Sequence, residues 1–597
     1  MKKTIIILLC CILALASLSA YSNQQRIISV DSPAYKAMEN LYILAGKSLP
    51  SSSGPWSENE MKLMLDRIDY ESLNEAGKSL YDYIYSIVVS EPKLQYSDNF
   101  AMAFGLEANL EGYLHTDKEH TVDEDDWFHG FTSRKPFLNL TFESWPGNNF
   151  YGYFEFTLQH NYGYDVGLVN GSNNALYNNT FNFNIPFVNA LVFSMPSNGS
   201  AFADFDWTFP YKALVSAGGD HWNFAAGRDK LSWGSGETGN LMLSSSFPKQ
   251  TFARFNTYFN AFKYSIVAAV YPGIDADAGN QFASMDGWKA LITHRLEFNL
   301  FHDKVSLVVN EACMYWSTSD QQFSIAQINP FGFMHNEYVA RNGNSLLVFE
   351  ANYTPIKGVN VYGQFAVDEF SGPGEGRTNP AAFGVLAGAK GTMTLGKGIL
   401  YGSFEFAKTD PFLYIRGQHY AYEDTKDKNG NLVSGKSSGY GYDAKLRIIS
   451  ANRMTVQSKF VTYKYGNDVI LFDGKINYEV PGKFRVGFES MFMAHGSMNV
   501  SSRWGMYQGN YENAPDVKTP TTYDPFDTAD YDPATGTVLR EHAVEKSVIL
   551  SLTGEYDILS NLSVYGIVDC LIVKNKGNVD GVNSTDFQFT FGVSYSL

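Results

Sequence analysis

From residue 100 onward, apolar and polar side chains alternate with a period of two. Between residues 100 and 111 every second position is Phe, Met, Leu or Ala, and the positions between them include two glutamates and an asparagine. The same alternation recurs at residues 137–144, 150–158, 291–300, 484–490 and 587–597. This period is typical of strands with one apolar and one polar face. It predicts an antiparallel sheet over most of the chain.

The connections between these segments alternate in length. Short, turn-forming sequences occur at residues 145–148, 301–304, 355–358, 395–398, 480–483 and 558–561. Long polar stretches lie between them, at about 115–133, 160–180, 317–342, 409–440 and 495–543. Tight turns at one end and large loops at the other are typical of membrane β-barrels. With roughly 10 residues per strand, the region from residue 95 to 597 predicts about 18 strands.

The N-terminus reads as a secretory signal. Met1-Lys2-Lys3 gives a basic start, and the apolar run at 5–15 is too short to span a bilayer. Small residues follow, and we expect cleavage close to Ala20. Residues 1–20 are therefore predicted to be removed when the chain leaves the cytoplasm.

The C-terminal strand carries a second address. Residues 587–597 alternate strictly, and their last eight follow the order polar, any, Gly, any, any, apolar, any, apolar. This order resembles the C-terminal signal by which bacterial outer-membrane barrels are delivered for insertion. Gly592, Tyr595 and Leu597 are the candidate insertion signal, and the barrel-assembly machinery is the expected partner. The alternative is an amphipathic strand of a soluble sheet.

Helical periodicity precedes the sheet. Asp31-Ser32-Pro33 predicts a helix start with proline in the first turn, and Ser57-x-x-Glu60 predicts a second start with a capping box. A third helix is expected over about 73–87. We therefore predict a small periplasmic helical region over 21–94, docked against or inside the mouth of a barrel that occupies 95–597.

Composition agrees with a barrel in outer-membrane lipid. Aromatic residues make up 15% of the chain, and after residue 20 no apolar run approaches the roughly 18 residues of a spanning helix. The net charge of −17 argues against nucleic acid as a partner, because phosphate binding needs a basic surface. Cys313 and Cys570, the two cysteines outside the predicted signal, do not form a disulfide scaffold.

Several sequence blocks resemble the Wzi capsule-assembly family. That family shows Gly-Arg, then Trp-Gly-Pro-Gly, then Leu-x-Leu-Ser, and this chain has matching blocks in the same order at 227–236 and 240–245. Further matches lie at 294–298, 328–331 and 362–368. The resemblance covers most of the chain that follows the predicted signal. One departure is Ser235, where the family usually has proline.

The resemblance implies an outer-membrane barrel that binds surface polysaccharide like a lectin and helps to hold capsule on the cell. Such a site needs aromatic faces for sugar rings and guanidinium or amide groups for acids and hydroxyls. The candidate polysaccharide-binding residues, from the motifs and the loops, are Arg228, Trp233, Arg295, Trp316, Trp504 and Tyr507. The alternatives are interface or loop-packing aromatics, and a structural cluster in the lumen for Arg228 and Trp233.

Catalysis finds no support in the sequence. It contains neither His-Glu-x-x-His nor Gly-x-Ser-x-Gly, and residues 391–398 read as a hairpin turn rather than a phosphate loop. The acids at 123–126 and at 524–532 could bind calcium, but solvated loop acids are favoured. We therefore expect no cofactor, no metal and no enzymatic activity. A passive channel for small solutes remains the main alternative function, and a membrane-embedded enzyme is a distant third.

Overall fold

The structure, a computed structural model, describes most of the chain. The described residues are 25–89, 94–97, 99–117, 127–129, 135–158, 181–183, 211–246, 249–274, 284–317, 343–369, 381–416, 447–451, 456–500, 502, 517–532 and 535–597. The predicted signal at 1–20 lies outside them. No helix among these residues is both long and apolar enough to cross a membrane.

In the described part of the chain, eighteen long antiparallel strands close into a barrel. The first nine are β1 Phe100–His115, β2 Leu138–Pro146, β3 Phe150–Leu158, β4 Tyr211–Gly219, β5 Trp222–Asp229, β6 Gln250–Tyr258, β7 Phe262–Ile274, β8 Ser284–Leu300 and β9 Val305–Ser317. The other nine are β10 Gly343–Ile356, β11 Val359–Glu369, β12 Ala382–Leu395, β13 Gly398–Thr409, β14 Val469–Val480, β15 Phe484–His495, β16 Glu545–Leu559, β17 Leu562–Lys574 and β18 Asn583–Ser596. The predicted fold and strand number are confirmed.

The barrel closes between its first and last strands. In the register of β18 and β1, Gly592 lies opposite Glu111 and Tyr595 lies opposite Ala108. The Leu597 backbone N–H donates to the Leu106 carbonyl at 2.8 Å, just beyond the end of β18. Two short strands, Leu94–Ser97 and Phe181–Phe183, add to the edges of β1.

The two faces of the wall differ as the alternation predicts. Phe104, Phe404 and Leu552 are more than half exposed on the outside. Asn310, Glu350 and Glu405, on the inner face, are buried. An outward apolar face with polar residues inside is what a membrane barrel requires, because the lipid can satisfy no polar group.

Three helices lie near the tight-turn end. They are α1 Pro33–Ala45, α2 Glu58–Leu65 and α3 Glu75–Val88. Ser32 caps α1 by accepting from the Ala34 N–H at 3.3 Å, and Gly46 ends it with a left-handed φ of 78°. Ser57 caps α2 by accepting from the Glu60 N–H at 3.2 Å, whereas the Glu60 carboxylate pairs with Lys263 of β7 instead of completing the capping box.

The helical region is fixed to the tight turns of the barrel. The Ile43 carbonyl accepts from the Gly358 N–H at 2.8 Å in the β10–β11 turn. The Asn74 side chain donates to Thr394 Oγ1 at 2.8 Å, near the β12–β13 turn. Because the helices share a buried core with Ile399 and Tyr401 of β13, burial of apolar surface holds them there as well.

Candidate functional site in the barrel lumen

Two chain segments meet inside the barrel. One is the stretch 48–57 between α1 and α2, and the other is the inward segment, which we define as residues 230–246 between β5 and β6. In the register of their short pairing, Ser232 lies opposite Gly54 and Trp233 lies opposite Ser53. The Gly234 N–H donates to the Ser52 carbonyl at 2.8 Å. The lumen is therefore occupied by a small sheet contributed from both ends of the barrel.

Trp233 anchors the inward segment. Its side chain is fully buried, and its backbone N–H donates to the Leu243 carbonyl at 2.9 Å, which folds the segment back on itself. Leu241 and Leu243 share its apolar cluster. The cluster continues into the described loops after β13, with Phe412, Leu413, Tyr414, Ile415, Val461 and Tyr463. Apolar packing thus fills this part of the lumen.

Arg295 of β8 lies next to the Trp233 ring. Its Cζ is 6.0 Å from the centroid of the Trp233 ring. Its guanidinium donates to both oxygens of Glu350, at 2.7 and 3.1 Å, and to Asn310 Oδ1 at 2.8 Å. It also donates to Ser52 Oγ at 2.5 Å. A bidentate carboxylate partner fixes the plane of the guanidinium and directs one of its edges at the segment from the N-terminal region.

A second set of charges fixes the stretch 48–57. The Glu297 carboxylate accepts from the Ser51 hydroxyl at 3.1 Å and from the Ser52 N–H at 3.0 Å. Lys263 donates to Ser51 Oγ at 2.9 Å and pairs with Glu60 at 2.5 Å. The pairs Lys263–Glu60 and Arg295–Glu350 are both almost completely buried, so the loss of one partner would leave a desolvated charge.

Glu237 links the inward segment to helix α1. Its carboxylate pairs with Lys36 of α1 at 2.5 Å and with Lys390 of β12 at 2.8 Å, and Lys390 also pairs with Glu39. Burial alone would lower the pKa of Lys36, but Glu237 and Glu39 raise it well above its usual range. Burial would raise the pKa of Glu39, but Lys36 and Lys390 hold it below its usual value. Both groups that α1 contributes to this cluster, Lys36 and Glu39, therefore stay charged.

Glu405 of β13 receives the backbone of the same turn. Its carboxylate accepts from the N–H groups of Glu237, at 2.7 Å, and Thr238, at 2.9 Å. The Tyr362 hydroxyl donates to it at 2.6 Å. On the opposite side of the turn, Gln364 accepts from the Leu241 N–H at 2.8 Å and donates to Asn240 at 2.9 Å. Barrel side chains thus satisfy the backbone of the inward segment as water would on a surface.

The structure brings two of the predicted site residues together. Trp233 and Arg295 meet in the lumen, both fully buried. Arg228 is half-buried at the long-loop end of β5, and strand alternation places it on the outward face with Trp222 and Phe224. It therefore lies on the opposite side of the wall from Trp233.

Of the other predicted binding residues, only Trp316 is among the residues that the structure describes. Trp316 is the penultimate residue of β9, opposite Lys289 of β8 in the register. Trp504 and Tyr507 lie outside the described residues. Their role in ligand binding stays a prediction.

The residues of the predicted insertion signal are all on the closing strand. Tyr595 and Leu597 are exposed on the outer surface, whereas Gly592 is on the inner face. A Cβ at Gly592 would lie 2.2 Å from the Tyr565 ring, whose hydroxyl donates to Glu111 at 2.5 Å. Gly592 is thus required locally for the close packing of Tyr565.

The charged residues that hold the inward segment were not identified from the sequence. Lys390, Glu405 and Glu237 formed no recognisable motif, and they come from strands and loops far apart in the chain. One signal was available: a single charge on the lumen side of an otherwise small and apolar strand, as at Lys390, needs a partner because a buried charge is costly alone. The alternation could not name that partner.

Acidic residues of the loop segment 524–532 form ion pairs and hydrogen bonds within the protein. Asp530 is buried, pairs with Arg540 at 2.6 Å and contacts His542 at 2.9 Å. Asp524 accepts from the Phe526 N–H at 2.9 Å. Within the described ranges, no group of three or more His, Cys, Asp or Glu is arranged to hold a metal ion. The acids at 123–126 lie outside these ranges.

Comparisons with known proteins identify the fold. No protein-family model and no curated protein matches the chain. Among solved structures, it is similar to Wzi of Escherichia coli, described as an outer membrane protein involved in group 1 capsule assembly and as a carbohydrate-binding β-barrel. The two are 13% identical, the match covers 95% of this chain and 98% of Wzi, and the TM-score is 0.51.

Two other solved structures match with lower scores. OprD of Pseudomonas aeruginosa is 9% identical, with 83% of this chain and 95% of OprD covered and a TM-score of 0.37. DcaP of Acinetobacter baumannii, an outer membrane channel, is 9% identical, with 85% and 100% covered and a TM-score of 0.33. The resemblance to Wzi that the sequence blocks indicated is confirmed at the level of the fold: this chain is an eighteen-strand β-barrel similar in fold to Wzi.

Proposed function

We propose that this barrel binds surface polysaccharide and assists the attachment or assembly of capsule or exopolysaccharide at the cell surface. Filling of the lumen is the observation that carries the proposal. A diffusion channel needs a continuous aqueous path, whereas a binding protein needs a rigid scaffold that presents loops. The fold shared with a carbohydrate-binding barrel supports the same reading.

The inward segment acts as a support for the loops in this proposal. Trp233 and Arg295 are fully buried, so they position neighbouring chain rather than contact a glycan. The described loop residues 410–416 and 461–468 pack on the inward segment through the cluster that contains Leu241 and Tyr463. A polysaccharide would then meet the external side of these loops, with Trp316, Trp504 and Tyr507 as aromatic contacts and Arg228 as a charge at the rim.

A direct binding experiment tests the proposal. The purified barrel, folded in detergent, is incubated with capsular and exopolysaccharide fractions from its own cells, and a heat-unfolded sample serves as the control. Saturable binding that is lost on unfolding supports the lectin role. Binding that is absent, or equal in the unfolded sample, contradicts it.

The passive channel is tested on the same preparation. The charged inner face of the barrel is the feature that favours it, because water-filled lumens are polar. Single-channel recording in planar bilayers separates the two functions. The lectin role predicts a silent barrel, and stepwise conductance with wild-type protein would favour the channel.

A further inference from the structure

Lys546 of β16 and Lys574 of β17 face each other on the outer wall of the barrel. They are directly opposite in the strand register, and both side chains are exposed. Directly opposite residues in an antiparallel pair have Cβ atoms about 5 Å apart, and like charges in that position are destabilising. Neither ammonium group has an ion pair or a hydrogen bond to any residue that the structure describes. An anion from outside the chain would relieve this repulsion.

The pair lies at the external limit of the apolar band. Along β16 and β17, the outward positions next to the lysines are Val548 and Ile572, followed by Leu550 and Leu552. From Leu562 to Lys574 the strand extends about 40 Å at about 3.3 Å per residue. A tilt of about 40° reduces this to about 30 Å, slightly more than the roughly 25 Å band of a membrane barrel. Both ammonium groups therefore reach the level of the outer-leaflet head groups.

The backbone around the pair is held in place by the connection between β17 and β18. The Asn578 side chain donates to the carbonyls of His495, at 3.1 Å, and Ala543, at 3.0 Å. The Asn575 side chain donates to the Val544 carbonyl at 3.1 Å, and the Gly577 N–H donates to Glu545 at 2.7 Å. These bonds join the ends of β15, β16 and β17, so the two lysines are presented on a fixed platform.

A third lysine in the same register row provides an internal contrast. The row runs from Lys408 of β13 through Ile470 and Ala494 to Lys546 and Lys574. Lys408 also faces outward, but it pairs with Asp410 at 3.1 Å. Among the described residues, one outward lysine of the row is thus paired with a carboxylate and the other two are not.

We infer that Lys546 and Lys574 together form a binding site for a phosphate group of an outer-leaflet glycolipid. A phosphate is small enough to accept from both ammonium groups at once and carries enough charge to offset their repulsion. The adjacent apolar stripe fits the acyl chains of the same lipid, which free phosphate or a soluble polysaccharide would not use. This inference does not depend on the polysaccharide-binding role.

Lipid binding to the full-length barrel in uncharged detergent tests the inference. The probes are diphosphorylated lipid A, the same glycolipid after removal of its phosphates, and inorganic phosphate, with native mass spectrometry as the readout. Wild-type protein should bind the diphosphorylated lipid about tenfold or more tightly than Lys546→Gln/Lys574→Gln. The controls Lys408→Gln and Lys304→Gln/Lys397→Gln remove charge from the paired lysine and from the tight-turn end, and both should bind like wild type.

Three results would overturn the inference. Equal binding by the double variant and wild type, or equal binding of the dephosphorylated lipid, overturns the inference. Competition by millimolar inorganic phosphate with no preference for the lipid would also overturn it, because the source would then be free phosphate. A second check uses the single variant Lys546→Gln and measures its unfolding temperature against wild type. In lipid-free detergent, where repulsion between the lysines dominates, the variant should unfold at a higher temperature than wild type. With diphosphorylated lipid A present, the variant should unfold at a lower temperature than wild type.

Discussion

The guanidinium of Arg295 lies 6.0 Å from the centre of the Trp233 ring, and both side chains are fully buried inside the barrel. The tryptophan belongs to the inward segment and the arginine belongs to the wall. Their contact joins an apolar cluster to a network of buried charges. The contact between Trp233 and Arg295 therefore helps to hold the inward segment in the lumen.

Trp233→Ala should destabilise the barrel by about 3–5 kcal/mol, because it leaves a cavity in a close-packed cluster. Urea unfolding followed by the heat-dependent gel mobility of the barrel measures the change. Trp222→Ala is the matched control, since Trp222 is 44% exposed on the outer face and should contribute much less. Equal losses in the two variants would contradict an anchoring role for Trp233.

Arg295→Met should cost about 3–5 kcal/mol, because it leaves Glu350 and Glu297 buried without the cation that pairs with both. The double variant Arg295→Met/Glu350→Met should lose less than the sum of the single variants, because it removes both charges of that pair and leaves only Glu297 without its arginine. A double-mutant cycle on unfolding free energies gives the coupling between them. If the losses in unfolding free energy of the two single variants add up exactly to the loss of the double variant, Arg295 and Glu350 are not coupled, and the prediction is wrong.

The wall of this barrel was predictable from the sequence, and the filling of its lumen was not. Period-two alternation defines which residues share a face, and the turn lengths define the strand number. The pairing of Trp233 with Ser53 joins positions 180 residues apart in a short stretch of sheet, and no local pattern encodes it. Arg228 shows the same limit: its motif does not indicate which side of the wall it is on, and strand parity places it on the outer face with Phe224.

Glu237→Gln should loosen the inward segment from helix α1. The substitution removes the charge shared by Lys36 and Lys390 and leaves the buried Lys390 and the partly exposed Lys36 with Glu39 as their remaining partner. Amide hydrogen exchange of the chain around Trp233 and of α1 should rise together, because the cluster links them. Glu71→Gln is the control: its pair with Lys78 is on the surface, where such pairs contribute little. Faster exchange confined to one of the two segments would exclude the link.

Docking of the helical region should weaken as pH rises. Burial raises the pKa of Glu58 from 4.5 to about 8, Arg26 and Lys62 oppose this, and Glu143 adds to it. Between these two pKa values the folded state binds more protons than the unfolded state, so stability falls as pH increases from about 4.5 to 8. Limited proteolysis of the helical region should therefore be slower at pH 5 than at pH 9.

Glu58→Gln should reduce that difference in proteolysis, because the amide does not ionise. Glu75→Gln provides the comparison, since Glu75 is exposed in the first turn of α3. The protease must be assayed on an unfolded substrate at both pH values, so that its own pH dependence is removed. An unchanged pH response in Glu58→Gln would assign the effect to another group.

The closing strand should control both assembly and the geometry of the seam. Deletion of Leu597 removes the terminal N–H that donates to Leu106 and the apolar end of the predicted insertion signal, so less barrel should reach the outer membrane. Gly592→Val should have a different effect. Its side chain would collide with the Tyr565 ring and break the bond of that hydroxyl to Glu111, so the barrel should be inserted but less stable. Membrane fractionation measures insertion and heat-dependent gel mobility measures stability; Tyr565→Ala in combination with Gly592→Val should restore part of the lost stability, and a combination no more stable than Gly592→Val alone would show that the collision is not the cause.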